Sequence, residues 1–273
     1  MPTINAADVS KLRKTTGAGM MDCKRALEET NGDFEKAIDI IRKKGQLVAN
    51  KRADREATEG VVISKVANNK GVMICLNCET DFVAKNVDFI KLAESVLNLA
   101  MEQFPGNLEE LKSLSLNSKS VSDILTEQIG IIGEKIDISY YEKIEAPVVV
   151  PYIHMDKKLA TLVGFNKKVE EQVGKDIAMQ VAAMAPVSVD KSDVPTDVIE
   201  KEKEIGREQA RLEGKPEAML DKIADGKLNK FFKEFTLLNQ EFTKDNKKTI
   251  AQYLKESDPE LKVTGFLRFS IKQ

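Results

Sequence analysis

Tryptophan is absent, histidine occurs once and cysteine three times in the 273 residues. Each shortage removes a class of function. Eleven Phe and four Tyr leave few flat rings on which unpaired bases could stack, and a lone imidazole excludes any site built on two. Three cysteines cannot all pair within one chain, so a reducing compartment is expected. No stretch reaches the ~18 consecutive apolar residues of a membrane span. The start, Met-Pro-Thr-Ile-Asn-Ala-Ala-Asp, lacks the basic residues and apolar stretch of a secretory leader. A cytoplasmic protein is therefore expected. Charge of one sign is also lacking: 42 Lys and Arg against 44 Asp and Glu leave a formal charge of -2. Any polyanionic partner would need a local patch.

What is present is enough for about two domains at roughly 150 residues each. Residues 1–45 read as a bundle of three short helices. Val9 and Leu12 edge the first, Thr15-Thr16-Gly17-Ala18-Gly19 breaks it, and Met20, Cys23 and Leu27 recur at helical spacing. Asn31-Gly32 supplies a left-handed helix end, Asp33 a cap, and Phe34, Ala37, Ile38 and Ile41 one apolar face that Gly45 is expected to terminate. Arg42 to Arg55 holds six basic residues against Asp54 alone, so residues 46–58 read as a basic linker or a helix extension.

From residue 59 the period changes. Gly60 to Ala67 and Val72 to Leu76 flank the turn Asn68-Asn69-Lys70-Gly71 as a hairpin. Helical spacing follows at Phe89, Leu92, Ala93, Val96, Leu97 and Ala100. Phe104-Pro105-Gly106-Asn107 breaks that helix, Val121 to Ile132 forms another, and Ile136, Ile138 and Tyr140 alternate as a third strand. A shift of 87 residues lays Val61-Val62-Ile63 on Val148-Val149-Val150. The same order of elements then recurs to a final strand, Val263 to Ile271, interrupted by an insertion. Pro195 to Gly226 carries 15 charged residues in 32, with Val198, Ile205 and Leu212 at seven-residue intervals and a break at Gly214-Lys215-Pro216. It reads as a helical hairpin, with Pro216 at the first position of the returning helix. The expected fold is α+β: a three-helix bundle (1–45), a linker (46–58), two related α/β subdomains with antiparallel sheets (59–145; 146–194 with 227–273) and an inserted helical arm (195–226).

Chemistry-bearing patterns are few. Cys75-Leu76-Asn77-Cys78 has the C-x-x-C form of a redox or zinc pair, but it lies on a strand whose positions three apart face opposite sides, and neither a second pair nor a nearby His accompanies it. Structural cysteines are the favoured reading, ahead of an oxidoreductase. The glycines at 17 and 19 follow no strand and belong to no G-x-x-x-x-G-K-[ST] motif, so helix punctuation explains them. His154 sits beside a turn. The basic run at 42–55 makes an RNA-binding module the runner-up function, though it lacks interleaved aromatics. At the strand-to-helix junction, Thr80 or Asp81 suits an N-cap. Spacing alone favours Phe82 as a core residue over an exposed functional one.

Thr16-Gly17-Ala18-Gly19-Met20-Met21-Asp22-Cys23-Lys24 with Ala26-Leu27, and Asn77-Cys78-Glu79-Thr80-Asp81-Phe82-Val83-Ala84-Lys85-Asn86, resemble the two signatures of the bacterial elongation factor Ts family. The likeness continues through Gly214-Lys215-Pro216 and Thr264-Gly265-Phe266-Leu267-Arg268-Phe269. It implies a guanine-nucleotide exchange factor for elongation factor Tu, acting on the GDP-bound and nucleotide-free partner, with no chemistry, cofactor or metal of its own. By motif match, Asp81 and Phe82 would enter the partner beside its magnesium and phosphates, with Phe82 as wedge and Thr80 and Val83 shaping the tip. Arg13, Met20 and Met21 are candidates for docking contacts, Met20 being equally a candidate for the bundle core. The resemblance makes the bundle similar to ubiquitin-associated domains and the arm a candidate for homodimerisation, with no membrane and no direct nucleic-acid contact expected. Longer members of the family continue past the final strand into a further helix that reaches the partner's GTPase domain, whereas this chain stops at Gln273, so that contact is expected to be missing.

Overall fold

Capping side chains decide where the first and third helices begin. In the computed structural model, which describes residues 4–271, Asn5 accepts the Asp8 amide at 2.8 Å and opens α1 (Ala6–Thr16). The Met1–Thr3 start and Gln273 lie outside the described residues. Gly17, at φ 71°, closes α1 by donating its N–H to the Arg13 carbonyl. Helix α2 (Met20–Glu29) ends before Asn31 and Gly32, both at positive φ, and Asp33 then caps α3 (Phe34–Arg52) through the Lys36 amide. Val9, Leu12, Ala18, Cys23, Ala26, Leu27 and Ala37 form the bundle's core. Met20 is not among them; it is exposed. Helix α3 does not stop at Gly45 but runs on to Arg52, so the basic stretch up to that residue is a helix extension.

Strands β1 (Glu59–Ala67) and β2 (Lys70–Cys78) form the expected hairpin. Next come α4 (Asp81–Ala84) and α5 (Val87–Gln103), whose buried residues Phe89, Ala93, Val96, Leu97, Leu99 and Ala100 lie on one stripe. A short helix α6 (Leu108–Ser113) and a two-residue pair, β3 (Ser115–Leu116) with β4 (Lys119–Ser120), lead into α7 (Val121–Ile132), and β5 (Asp137–Glu145) completes a sheet of order β1-β2-β5. Helix α7 explains Gly45: a Cβ on its Gly130 would lie 2.5 Å from the Gly45 Cα. The two glycines are there because the α3 and α7 backbones nearly touch.

The plan then repeats. Strand β6 (Val148–Ile153) pairs antiparallel with β7 (Leu159–Phe165), followed by α8 (Glu171–Met184). Beyond α9 (Thr196–Leu212) and α10 (Leu220–Phe235), a short pair, β8 (Glu241–Phe242) with β9 (Asp245–Thr249), precedes α11 (Ile250–Ser257). Strand β10 (Val263–Ser270) pairs with β7, giving the order β10-β7-β6. In both sheets the third strand lies beside the second strand of the hairpin. Even the helix ends correspond: Phe104 closes α5 and Ala185 closes α8 in the left-handed region, at φ 48° and 44°, each followed by proline.

The inserted arm differs from its heptad reading. Leu212 is exposed, and α9 meets α10 through Gly206 and Ala210 against Leu220, Ala224 and Leu228. A Cβ on Gly206 would stand 3.1 Å from the Ala224 Cα, so small residues set the spacing of the two helices. Ion pairs Arg207–Asp221 at 2.8 Å and Lys203–Asp225 at 2.9 Å cross the arm. Pro216 precedes a 3-10 turn, Glu217–Met219, that leads into α10. The returning helix continues past Gly226 to Phe235.

The chain resolves into two units. The first holds the bundle, up to Val62, with Ile74–Tyr141; the second holds Ile63–Met73 with Glu142–Ser270. Among the described residues no helix is long and apolar enough to cross a membrane.

Candidate partner-binding tip and its braces

The first unit carries the second signature where β2 gives way to α4. Thr80, with extended backbone, is the N-cap: its hydroxyl accepts the Val83 amide at 3.4 Å. Ala84 turns inward. Phe82 turns the other way and is 82% exposed. The cap expected from the sequence is present, but the core phenylalanine expected from spacing is not. A seven-residue interval to Phe89 places two residues on one face only if the helix is continuous, and here Lys85 and Asn86 interrupt it before Asn86 caps α5. Asp81 shares the exposed turn and pairs with Lys85 at 2.7 Å, while Val83 is half-buried.

The tip is held by Glu134, which no motif singled out, together with Glu79 of the second signature. Glu134, just past the left-handed Gly133 that ends α7, accepts the Glu79 and Thr80 amides at 3.1 and 3.0 Å on one carboxylate oxygen, and the Thr80 hydroxyl at 2.7 Å on the other. The tie is reciprocal, because the Glu79 carboxylate accepts the Lys135 amide at 2.7 Å. Two arginines near the end of α3 also reach Glu79, Arg52 at 2.8 Å and Arg55 at 3.3 Å. Burial alone would raise the Glu79 carboxyl, but the Lys135 amide and the two guanidinium groups outweigh it and hold the group below its ordinary range.

The first signature surrounds the α1–α2 turn. Met20 and Met21 are exposed by 51% and 61%, and Arg13 is exposed on α1. The Thr16 hydroxyl donates to the Leu12 carbonyl at 2.8 Å, so the glycine-bearing turn ends one helix and begins the next. Met20, Met21 and Arg13 thus sit on the bundle, and Thr80, Asp81, Phe82 and Val83 on a separate element of the same unit.

The remaining patterns have structural environments. Cys75 and Cys78 are fully buried free thiols. Burial pushes both up to about 12, reinforced at Cys78 by the nearby Glu134 carboxylate. A thiol that stays protonated near neutrality is a poor nucleophile and a poor metal ligand. Within the basic stretch, Arg42 pairs with Glu127, Lys44 with Asp22, and Arg52 and Arg55 with Glu79. His154 is exposed, with its Nδ1 2.9 Å from the Tyr152 hydroxyl. Among the described residues no group of three or more His, Cys, Asp or Glu side chains is placed to hold a metal ion.

An outward apolar ring on a hydrogen-bonded turn, with buried, protonated thiols on the preceding strand, suits a protein that works by binding. Comparison with known proteins gives the particular kind. The model of the family described as Elongation factor TS matches residues 79–273. The elongation factor Ts of Porphyromonas gingivalis is 51% identical over 269 residues, covering 98% of each chain. That of Christiangramia forsetii is 51% identical over 275 residues, covering 99% of this chain and all of the relative. That of Bacteroides fragilis is 41% identical over 326 residues, covering 98% of this chain and 99% of the relative. The chain belongs to the elongation factor Ts family. Such a factor serves translation elongation as a nucleotide exchange factor and performs no chemistry of its own.

Proposed function

We propose that this protein binds elongation factor Tu and promotes release of GDP, so that GTP can bind, by inserting the Asp81–Phe82 tip beside the partner's magnesium and phosphates. The observation that carries the reading is the ring of Phe82, 82% exposed on a turn whose Thr80 cap is anchored. An exposed phenylalanine on a mobile loop would lose entropy on binding; one on a braced turn loses less.

The mechanism is differential binding. A factor that fits the nucleotide-free partner better than the GDP-bound one weakens GDP by the same factor by which GDP weakens it. Phe82 acts as the wedge that favours the open arrangement. Asp81 brings a carboxylate towards the magnesium site, where loss of the cation leaves the phosphate charge unneutralised. Thr80 and Val83 set the direction of the turn. Arg13, Met20 and Met21 dock the bundle, which is similar to ubiquitin-associated domains, on the partner, with the exposed methionines supplying adaptable apolar contact. The helical arm is the surface for a second copy. Four cations of the basic stretch are already in ion pairs, which favours a protein partner over RNA for this chain.

Release of fluorescent GDP from elongation factor Tu tests the reading. Phe82→Ala is expected to slow catalysed release at least tenfold while the protein melts within a degree or two of the parent, since an exposed ring contributes well under ~1 kcal/mol to folding. Parent-like exchange by a folded Phe82→Ala protein would remove the wedge.

A further inference from the structure

Glu134 follows the Gly133 end of α7 and binds a different element. Its carboxylate takes the Glu79 amide, the Thr80 amide and the Thr80 hydroxyl. That hydroxyl in turn accepts the Val83 amide. A continuous chain of hydrogen bonds therefore runs from Glu134 through Thr80 into the first turn of α4, one residue beyond the exposed Phe82. A threonine hydroxyl has one proton to give. Because Glu134 takes it, the oxygen is left to face the Val83 amide, and the orientation of the cap is fixed instead of shared with water.

The second unit shows which part of this arrangement folding itself requires. Asn166, 87 residues after Glu79, likewise follows the second strand of a hairpin, and it is tied to the segment entering the last strand. Its amide donates to the Lys262 carbonyl at 3.1 Å and its side chain accepts the Lys262 amide at 2.8 Å. Glu79 and Lys135 reproduce the second of these bonds. The first is made differently: where the second unit uses a backbone carbonyl, the first uses the Glu134 carboxylate, which also captures the next amide and the cap hydroxyl. The tie is common to both units, and the carboxylate grip on the cap belongs to the unit that carries the exposed ring.

We infer that Glu134 is a positioning residue for nucleotide exchange, acting through the Thr80 hydroxyl to hold the Asp81–Phe82 turn in its partner-ready direction. This rests on reading that turn as the exchange tip. The partner is met by the ring, and Glu134 stays beneath it, so its loss should lower the maximal rate of GDP release more than the affinity of docking.

The test measures GDP release from the partner GTPase against factor concentration, so that maximal rate and half-saturating concentration separate. Glu134→Gln keeps the shape but presents an NH2 where the Thr80 proton needs an acceptor, or loses the two amides if turned over. It is expected to cut the maximal rate five- to tenfold and to move half-saturation by less than threefold. Thr80→Val is expected to do the same, Thr80→Ser to retain at least half the parent rate, and the Glu134→Gln/Thr80→Val double variant to be no slower than the worse single variant, because both break one chain of bonds. Melting curves run alongside. A Glu134→Gln protein that melts early but reaches the parent maximal rate would overturn the inference, as would multiplicative effects in the double variant. Should Glu134→Gln fail to fold, the contrast between Thr80→Val and Thr80→Ser decides: equal rates overturn the inference. Phe82→Ala in the same series separates the two claims, since parent-like release by Phe82→Ala removes the tip, whereas slow Phe82→Ala with fast Glu134→Gln removes only the positioning role.

Discussion

At the end of the second hairpin strand the two units make nearly the same tie and then diverge. After Glu79 the chain turns outward and exposes Phe82; after Asn166 it turns inward, and Val169, 87 residues from Phe82, packs against the core formed by Val163, Phe165, Val173 and Ile177. The polar surroundings differ in the same sense. Lys167 is fixed by Asp258 at 2.6 Å and Glu260 at 3.4 Å, which staples the junction to its own unit. In the first unit Glu134 holds Thr80 and leaves the following ring unused. A repeated frame is thus finished inward in one copy, with Val169 against the core, and outward in the other, with Phe82 exposed.

The largest expected effect tests the inward side of that comparison. Phe165 is fully buried at the end of β7, and Phe165→Ala is expected to cost ~3–5 kcal/mol, against well under ~1 kcal/mol for Phe82→Ala. Calorimetric melting of both variants checks it; similar losses would mean that Phe82 is folding material after all.

Exchanging the divergent residues sharpens it. Val169→Phe adds a ring beside α8, where a Cβ on Gly174 would already meet the Val169 side chain at 3.3 Å. It is expected to destabilise by ~1–3 kcal/mol through overpacking without raising the exchange rate. Phe82→Val is expected to melt like the parent and exchange slowly. A Val169→Phe protein that folds unperturbed would show the second junction to be looser than its packing implies.

Much of this frame was legible in the amino-acid sequence, and the misses share a cause. Alternation and turn residues give β1 and β2, and three-and-four spacing gives α5, because those elements are set by their own periodicity against one core. Gly45 misled because the local signal for a helix stop is also what a close helix crossing needs, and its partner Gly130 is 85 residues away. Leu212 misled because a heptad can be counted where the contact is made by Gly206 and Ala224. The two-residue strands β3 and β4 have no period to read. Spacing places Phe82 inward and only the family signature places it outward, and its exposure supports the second. Glu134 carried no signal at all: a glutamate following a glycine at a helix end is ordinary, and its three contacts lie 54 and 55 residues back in the chain.

The smallest expected effect arises from a chemical difference between the paired residues themselves, since Glu79 can be protonated and Asn166 cannot. In the folded protein the Glu79 carboxyl lies below its ordinary value of 4.5: burial would raise it, but the Lys135 amide and the Arg52 and Arg55 cations favour the ionised form more strongly. A group depressed by folding contributes stability that is fully present above its unfolded value and is lost as pH falls through its folded value. The first unit's tie is therefore expected to weaken below pH 4.5, while the Asn166 tie, which binds no proton, does not titrate. Other carboxyls act in the same direction, because Lys167 holds Asp258 low, and Lys244, Tyr253 and Gln172 hold Asp176 low against the opposing effect of burial. Global acid unfolding would mix all of them. Hydrogen exchange read at single amides separates them: protection of the Lys135 amide, which donates to Glu79, should fall relative to that of the Lys262 amide, which donates to Asn166, as the solution is acidified. Glu79→Gln supplies the control, since it removes the proton-binding site and leaves an acceptor for Lys135. Its ratio of the two protections should start lower than the parent's near neutrality, because the arginines lose their anion, and then stay flat with pH. A parent ratio that is equally flat would show that Glu79 is held by packing alone, and that the charge of this tie contributes nothing that its neutral counterpart in the second unit lacks.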